Sequence, residues 1–127
     1  MSFSAKARPM GFILTRDRAR AKLFYSDVLG FRLIFEDGFA AVYDMAGLVV
    51  RLTDIADHQP SAHTVLGWQV PDLRAAVDDL TARGVVFIVY PGFGQDAQGI
   101  WSSPDGQAQI AWFNDPDGNN LSLTQSG

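Results

Sequence analysis

The chain contains no cysteine. That excludes disulfide scaffolds, thiolate zinc sites and cysteine nucleophiles. Histidine is nearly as scarce, with two in 127 residues. No apolar run approaches the length of a membrane span. The opening segment, MSFSAKARPM, has no apolar stretch of signal-peptide length, so a cytoplasmic location is the expectation. Ten Lys and Arg stand against 14 Asp and Glu, a net charge of −4. No cluster of basic residues forms a positive face, so neither nucleic acid nor a membrane is an expected partner. What is present is ordinary for a globular protein. Apolar residues make up 47% and charged residues 19%, enough for one domain with a real core.

Two helices read clearly. The first spans about 18–29. Asp17 is its N-cap, because a carboxylate there can accept from open backbone N–H groups. Ala21, Phe24, Tyr25, Val28 and Leu29 form one apolar stripe, and Gly30 closes the helix. The second repeats the design: Asp72 caps it, Leu73, Ala76, Val77 and Leu80 form the stripe, and Gly84 ends it. Strand-like runs precede the helices at 11–15 and 64–70. Three more follow each helix, at 31–35, 39–43 and 48–53, then at 85–90, 107–113 and 120–124. Each half is therefore strand, helix and three strands, an internal repeat. Module one covers about 8–53, a linker about 54–62, and module two about 63–124, within a single domain of 1–127. The predicted class is α+β, with two βαβββ modules forming an open, barrel-like cleft.

Near the C-terminus, Asp115-Pro116-Asp117-Gly118-Asn119 reads as a tight turn. Pro116 presets φ, Gly118 supplies a positive φ, and Asp115 and Asn119 can close the turn with side-chain hydrogen bonds. A calcium loop would need glycine sixth and glutamate twelfth, where Asn120 and Ser126 stand. The run Gly92-Phe93-Gly94-Gln95-Asp96-Ala97 satisfies a G-x-G-x-x-[GA] pattern. A nucleotide site would open a helix there, whereas Gly99, Ser102, Ser103, Pro104 and Gly106 follow. The segment reads as a mobile loop.

The stretch RARAKLFYSDVLGFRL resembles the first helix and following strand of the glyoxalase, bleomycin-resistance and extradiol-dioxygenase superfamily, the vicinal-oxygen-chelate group. WFNDPDGNNLSL resembles its C-terminal hairpin. The likeness runs from about Met10 to Thr124. It implies that each module rolls into half of an open barrel around a cleft. In such proteins a metal usually sits there, held by His, Glu or Gln from the first and last strand of each module. By position, those places are Met10, Arg51, Val65 and Ser122. Methionine is a soft ligand, valine has no donor and a guanidinium repels a cation. No metal and no cofactor is therefore expected. His63 could be a rim ligand and His58 lies in the linker. A metal site needs several converging donors, so both read as solvated.

The cleft face follows from strand alternation. It contains Met10, Phe12 and Leu14, then Val49 and Arg51, then Val65, Gly67 and Gln69, then Asn120 and Ser122. This mixture, mostly apolar with one charge, describes a small-molecule pocket. Its bland alternative is a sheet face that is simply core. Trp101 is placed to stack on a planar ligand. Trp68 should be core, and parity leaves the direction of Trp112 open. The candidate substrate-binding residues are Met10, Phe12, Arg51, Val65, Trp101 and Ser122; no catalytic residue is assigned.

The resemblance implies either a metal-free binding protein for a small, partly apolar and possibly anionic molecule, or a lyase, isomerase or dioxygenase. Whether the chain is an enzyme stays open at this point. A metal-free enzyme would rely on a loop residue such as Asp96 or Tyr90. A homodimer is expected, because strand edges need partners. Arg51 has three possible fates. It pairs with Asp44, Asp54 or Glu36, it reaches out to water, or it awaits an anionic ligand group.

Overall fold

The computed structural model describes residues 2–126. The chain separates into two compact units, one running up to His58 and the other starting at Gln59. Each carries one four-stranded sheet.

In the first unit, a short helix α1 (Phe3–Lys6) precedes β1 (Met10–Thr15), α2 (Arg18–Lys22), β2 (Arg32–Glu36), β3 (Ala40–Met45) and β4 (Leu48–Asp54). The strand order is β1-β4-β3-β2. β1 runs parallel to β4, and the other neighbours are antiparallel. Asp17 caps α2 by accepting from the Arg20 N–H. The helix does not continue as a regular α-helix to residue 29. Leu23–Val28 is π-helical, with the Leu29 N–H donating to the Phe24 carbonyl, one residue further back than an α-helix allows. Tyr25 and Ala21 are fully buried beneath it.

The helix covers one face of this sheet. Tyr43 is fully buried, its hydroxyl 2.7 Å from the Ser26 hydroxyl and its ring 6.3 Å from that of Tyr25. Register places Val50 beside Tyr43, and Ile13, Leu52 and Ala41 in one row. All are buried to within 2%. Their alternates occupy the opposite face.

The second unit repeats the plan with β5 (Thr64–Gln69), α3 (Leu73–Ala82), β6 (Trp101–Ser102), β7 (Ala108–Asn114) and β8 (Asn120–Ser126). The order is β5-β8-β7-β6, with β5 parallel to β8. Asp72 caps α3 by accepting from the Ala75 N–H. Gly30 and Gly84 both adopt positive φ after their helices, a region that costs a Cβ-bearing residue about 1 kcal/mol or more. Leu73 and Val77 meet the sheet on the side of Ala111, Phe113, Leu121 and Leu123, all buried. Trp68 pairs with Leu123 and shares that side, but it is only half-buried and is not among the fully buried core residues.

Two elements differ from the pattern in the sequence. Residues 85–90 do not form a strand; only Phe87 bridges, to Phe113. The short β6 takes the sheet edge instead. The loop of residues 92–97 opens no helix, but its hydrogen bonds are those of a held segment. Gln95 accepts from the Tyr90 N–H and donates to the carbonyls of Ile88 and Gly99. Asp96 accepts from the N–H groups of Gln98 and Ile100 and from Arg74.

Candidate functional site

The face of the first sheet opposite α2 carries Met10, Phe12, Val49 and Arg51. Phe12, Arg51, Val42 and Phe35 lie in one row across four strands. Phe12 is 63% exposed, Phe35 51% and Met10 45%. A row of exposed aromatics around a half-buried arginine is an unusual surface, since large apolar side chains are otherwise turned inward.

The carboxylates within reach of this arginine in sequence are all engaged elsewhere. Asp44 accepts from Arg32 at 3.4 Å and from the Gly47 N–H. Asp54 accepts from the Arg18 Nε at 2.9 Å. Glu36 accepts from Lys22 at 2.7 Å and Arg18 at 3.3 Å. Among the described residues, Arg51 itself makes no hydrogen bond and no ion pair. Its charge is felt by Asp37, whose carboxyl is held below its ordinary range first by the Phe39 and Ala40 N–H groups and then, at longer range, by Arg51 and Arg18. A guanidinium keeps its proton in any protein environment, so this one remains a cation with open donors.

The open face of the second sheet is built differently. Register puts Trp101, Ile110 and Thr124 in one row and Trp112, Ser122 and Gly67 in the next. This settles the side of Trp112, which faces away from α3. Trp101 and Trp112 flank Ile110 and, with Gly92 and Phe93, line a shallow hollow of about 480 Å³. Beside it lies a smaller cavity, about 300 Å³, lined by His63, Thr64, Tyr90, Phe93, Trp112 and Asn120. Ser122 is buried, its hydroxyl lying against Gly67.

Val65 falls outside the regular pairing. Thr64 opposes Asn120 and Leu66 opposes Leu121, leaving Val65 as the extra residue of a bulge, half-exposed. The bulge resets the alternation. Thr64, not Val65, therefore meets Asn120, its hydroxyl donating to the amide oxygen at 2.6 Å. Strict period-two counting missed Thr64 for this reason. A third groove, about 530 Å³, opens on the α3 side along Val85, Val86 and Val89. Its polar groups already serve one another, Gln98 donating to Asp78 and accepting from Arg74.

A divalent cation does not fit the positions that the sequence pattern would give it. In the first unit they hold a thioether and a half-buried guanidinium; in the second, a bulged valine and a serine. Among the described residues no three His, Asp or Glu side chains gather into a metal-holding group. None of the described helices is long and apolar enough to cross a membrane.

Two βαβββ units, each with a helix on one sheet face and an open opposite face, define an α+β class of paired modules. The sequence pattern of the Glyoxalase/Bleomycin resistance protein/Dioxygenase superfamily matches residues 9–123, and the chain belongs to that superfamily. Solved structures agree on the fold. The fosfomycin resistance protein FosX from Listeria monocytogenes superposes with a TM-score of 0.74 at 12% identity, over 96% of this chain and 94% of that one. A FosX mutant complexed with Mn(II) and 1S,2S-dihydroxypropylphosphonic acid gives 0.70 at 13%, over 93% and 88%. A glyoxalase/bleomycin resistance protein/dioxygenase from Alicyclobacillus acidocaldarius gives 0.70 at 18%, over 94% and 91%. No curated protein sequence matches the chain.

Proposed function

We propose that the chain binds a small, partly apolar molecule bearing an anionic group, without a divalent metal, and that Arg51 holds the anion. The observation that carries this reading is the state of Arg51. It is a half-buried cation between exposed Phe12 and buried Val42; Asp44, Asp54 and Glu36 are committed to Arg32, Arg18 and Lys22, and Asp37, which feels its charge, accepts from the Phe39 and Ala40 N–H groups. A carboxylate or phosphonate would complete the site by accepting two parallel hydrogen bonds from the planar fork. Met10 and Phe12 offer apolar contact beside it. On the second module, Val65, Ser122 and Trp101 are proposed as contacts for a small molecule bound on that module. The phosphonic acid in the FosX complex is a small anion of the kind proposed.

The reading is also of a cytoplasmic protein. It is also of a homodimer, since β1 and β2, at the edges of the first sheet, leave backbone groups to be covered. Light scattering at micromolar concentration should give the mass of two chains; a single chain's mass would refute the dimer.

Native mass spectrometry tests the function. Chelator-treated protein is expected to retain a small anionic molecule that the folded Arg51→Met variant loses. Equal retention by both would refute the role of Arg51. Retention only after Mn(II) or Zn(II) is added would refute metal-free binding.

A further inference from the structure

The smaller cavity of module two contains a hydrogen-bond relay with a defined direction. The Thr64 hydroxyl donates to the Asn120 amide oxygen at 2.6 Å. The Asn120 amide nitrogen spends both its protons, one on the Tyr90 phenol oxygen at 3.0 Å and one on the Asn114 side-chain oxygen at 3.3 Å. Asn120 is buried, with 4% exposure. Tyr90 is thus an acceptor within the relay, and among the described residues its own O–H donates to none.

The phenol is also fixed in place. Its ring stands edge-on to Trp112, centroids 5.6 Å apart at 79°, and 5.3 Å from the ring of Phe93. Phe93 and Trp112 meet at 6.1 Å and 82°. The backbone beneath is anchored by Gln95, which accepts from the Tyr90 N–H at 2.6 Å. Trp112 meets both other rings edge-to-face, and Tyr90 and Phe93 meet at a tilt of 41°. They leave no gap between them for a cation, so the cluster is not an aromatic cage for an ammonium group. It is one wall of a slot.

From this geometry we infer that the cavity is a binding site for a planar aromatic molecule carrying a neutral carbonyl oxygen, which Tyr90 recognises as hydrogen-bond donor. Three features select that chemistry. The volume, about 300 Å³, is at the small end of ligand pockets and suits one or two fused rings. The walls of Phe93 and Trp112 favour a flat apolar body. The polar end offers one oriented donor and no Lys or Arg among its lining residues. A carbonyl is satisfied by one neutral donor, whereas a carboxylate would lack a fixed counter-charge. Asn120 and Thr64 are positioning residues: they hold the phenol oxygen as an acceptor and so direct its proton outward. His63 stands at the rim. The site is confined to module two and does not depend on the proposal for Arg51.

Nuclear magnetic resonance titration with acetonaphthone, and with ethylnaphthalene as the shape-matched compound without an oxygen, tests this. Acetonaphthone should shift the Trp112 indole N–H and His63 ring signals, with Trp112 identified through Trp112→Phe. Tyr90→Phe, which deletes one oxygen and keeps the ring, should weaken acetonaphthone about three- to tenfold and leave ethylnaphthalene unchanged. The inference is overturned if Tyr90→Phe leaves acetonaphthone binding intact or weakens both compounds equally. Shifts that fall elsewhere than Trp112 and His63 also overturn it.

Discussion

Gly67 and Ser122 are neighbours across the parallel pair β5–β8, and the glycine is there because the serine hydroxyl fills its place. A Cβ on residue 67 would come within 2.5 Å of the Ser122 Oγ and 3.4 Å of its carbonyl oxygen. Gly67→Ala therefore forces the hydroxyl out of its position. The single variant should lose about 1–2 kcal/mol of stability through the clash. In the double variant with Ser122→Ala the obstructing oxygen is gone. The lower flexibility of alanine should then recover most of the loss. A denaturant double-mutant cycle should show a coupling of about 1 kcal/mol. Additive effects would mean that the two side chains do not compete for one space.

The Asp115 turn is a second place where one side chain holds several backbone groups. Its Oδ1 accepts from the N–H of Asp117 at 2.9 Å and of Asn119 at 3.0 Å, and its Oδ2 from the Asn119 amide at 2.8 Å. All three residues are at least 95% buried. Asp115→Ala strands these donors away from water and should cost about 2–4 kcal/mol. Asp115→Asn keeps one acceptor oxygen and should cost less. Equal losses in urea unfolding would show that the hydrogen bonds are not what holds the turn.

Stability should fall in acid for an identifiable reason. Glu36 is held below the ordinary carboxylate range by its contact with Lys22 and, more weakly, Arg18, against a smaller opposing effect of burial. For Asp96, burial pushes upward, but the Ile100 N–H, Arg74 and the Gln98 N–H together outweigh it, and the net direction is down. Groups with depressed folded values contribute fully above the unfolded carboxylate range, about pH 4. That contribution disappears as pH falls through the folded values. Melting temperature should thus drop more steeply between pH 5 and about pH 3 for the natural chain than for a Glu36→Gln, Asp96→Asn variant. Parallel curves would contradict the assignment.

The repeat was legible because its marks are chemical and local. Asp17 and Asp72 each accept from an N–H three residues on, and Gly30 and Gly84 each take the positive φ that ends a helix. Three features were hidden because they depend on one residue or on distant partners. The π-helical turn after Lys22 adds a residue to a stripe whose apolar spacing looks regular. The bulge at Val65 reverses the face of the residues before it, so the position that the resemblance assigns to Val65 opposite the last strand is taken by Thr64. The run Val85–Tyr90 has strand composition, but the Gln95 side chain takes the Tyr90 N–H and the Ile88 carbonyl that a partner strand would have paired. Trp112 could be placed only through its register with Ser122. The uncommitted state of Arg51 depended on Arg18 and Lys22 claiming the acidic residues first, which spacing along the chain does not reveal.

The claim that a guanidinium supplies the positive charge of the ligand site is tested most directly at Arg51 itself. Benzoate is titrated into chelator-treated protein while the side-chain Nε–H resonance of Arg51 is followed. The account predicts a saturable shift of that resonance. Arg51→Met should weaken benzoate about ten- to a hundredfold, the value of a charge-assisted hydrogen bond of about 1.5–3 kcal/mol. An unmoved Arg51 signal, or binding that appears only when Mn(II) or Zn(II) is supplied, would contradict it.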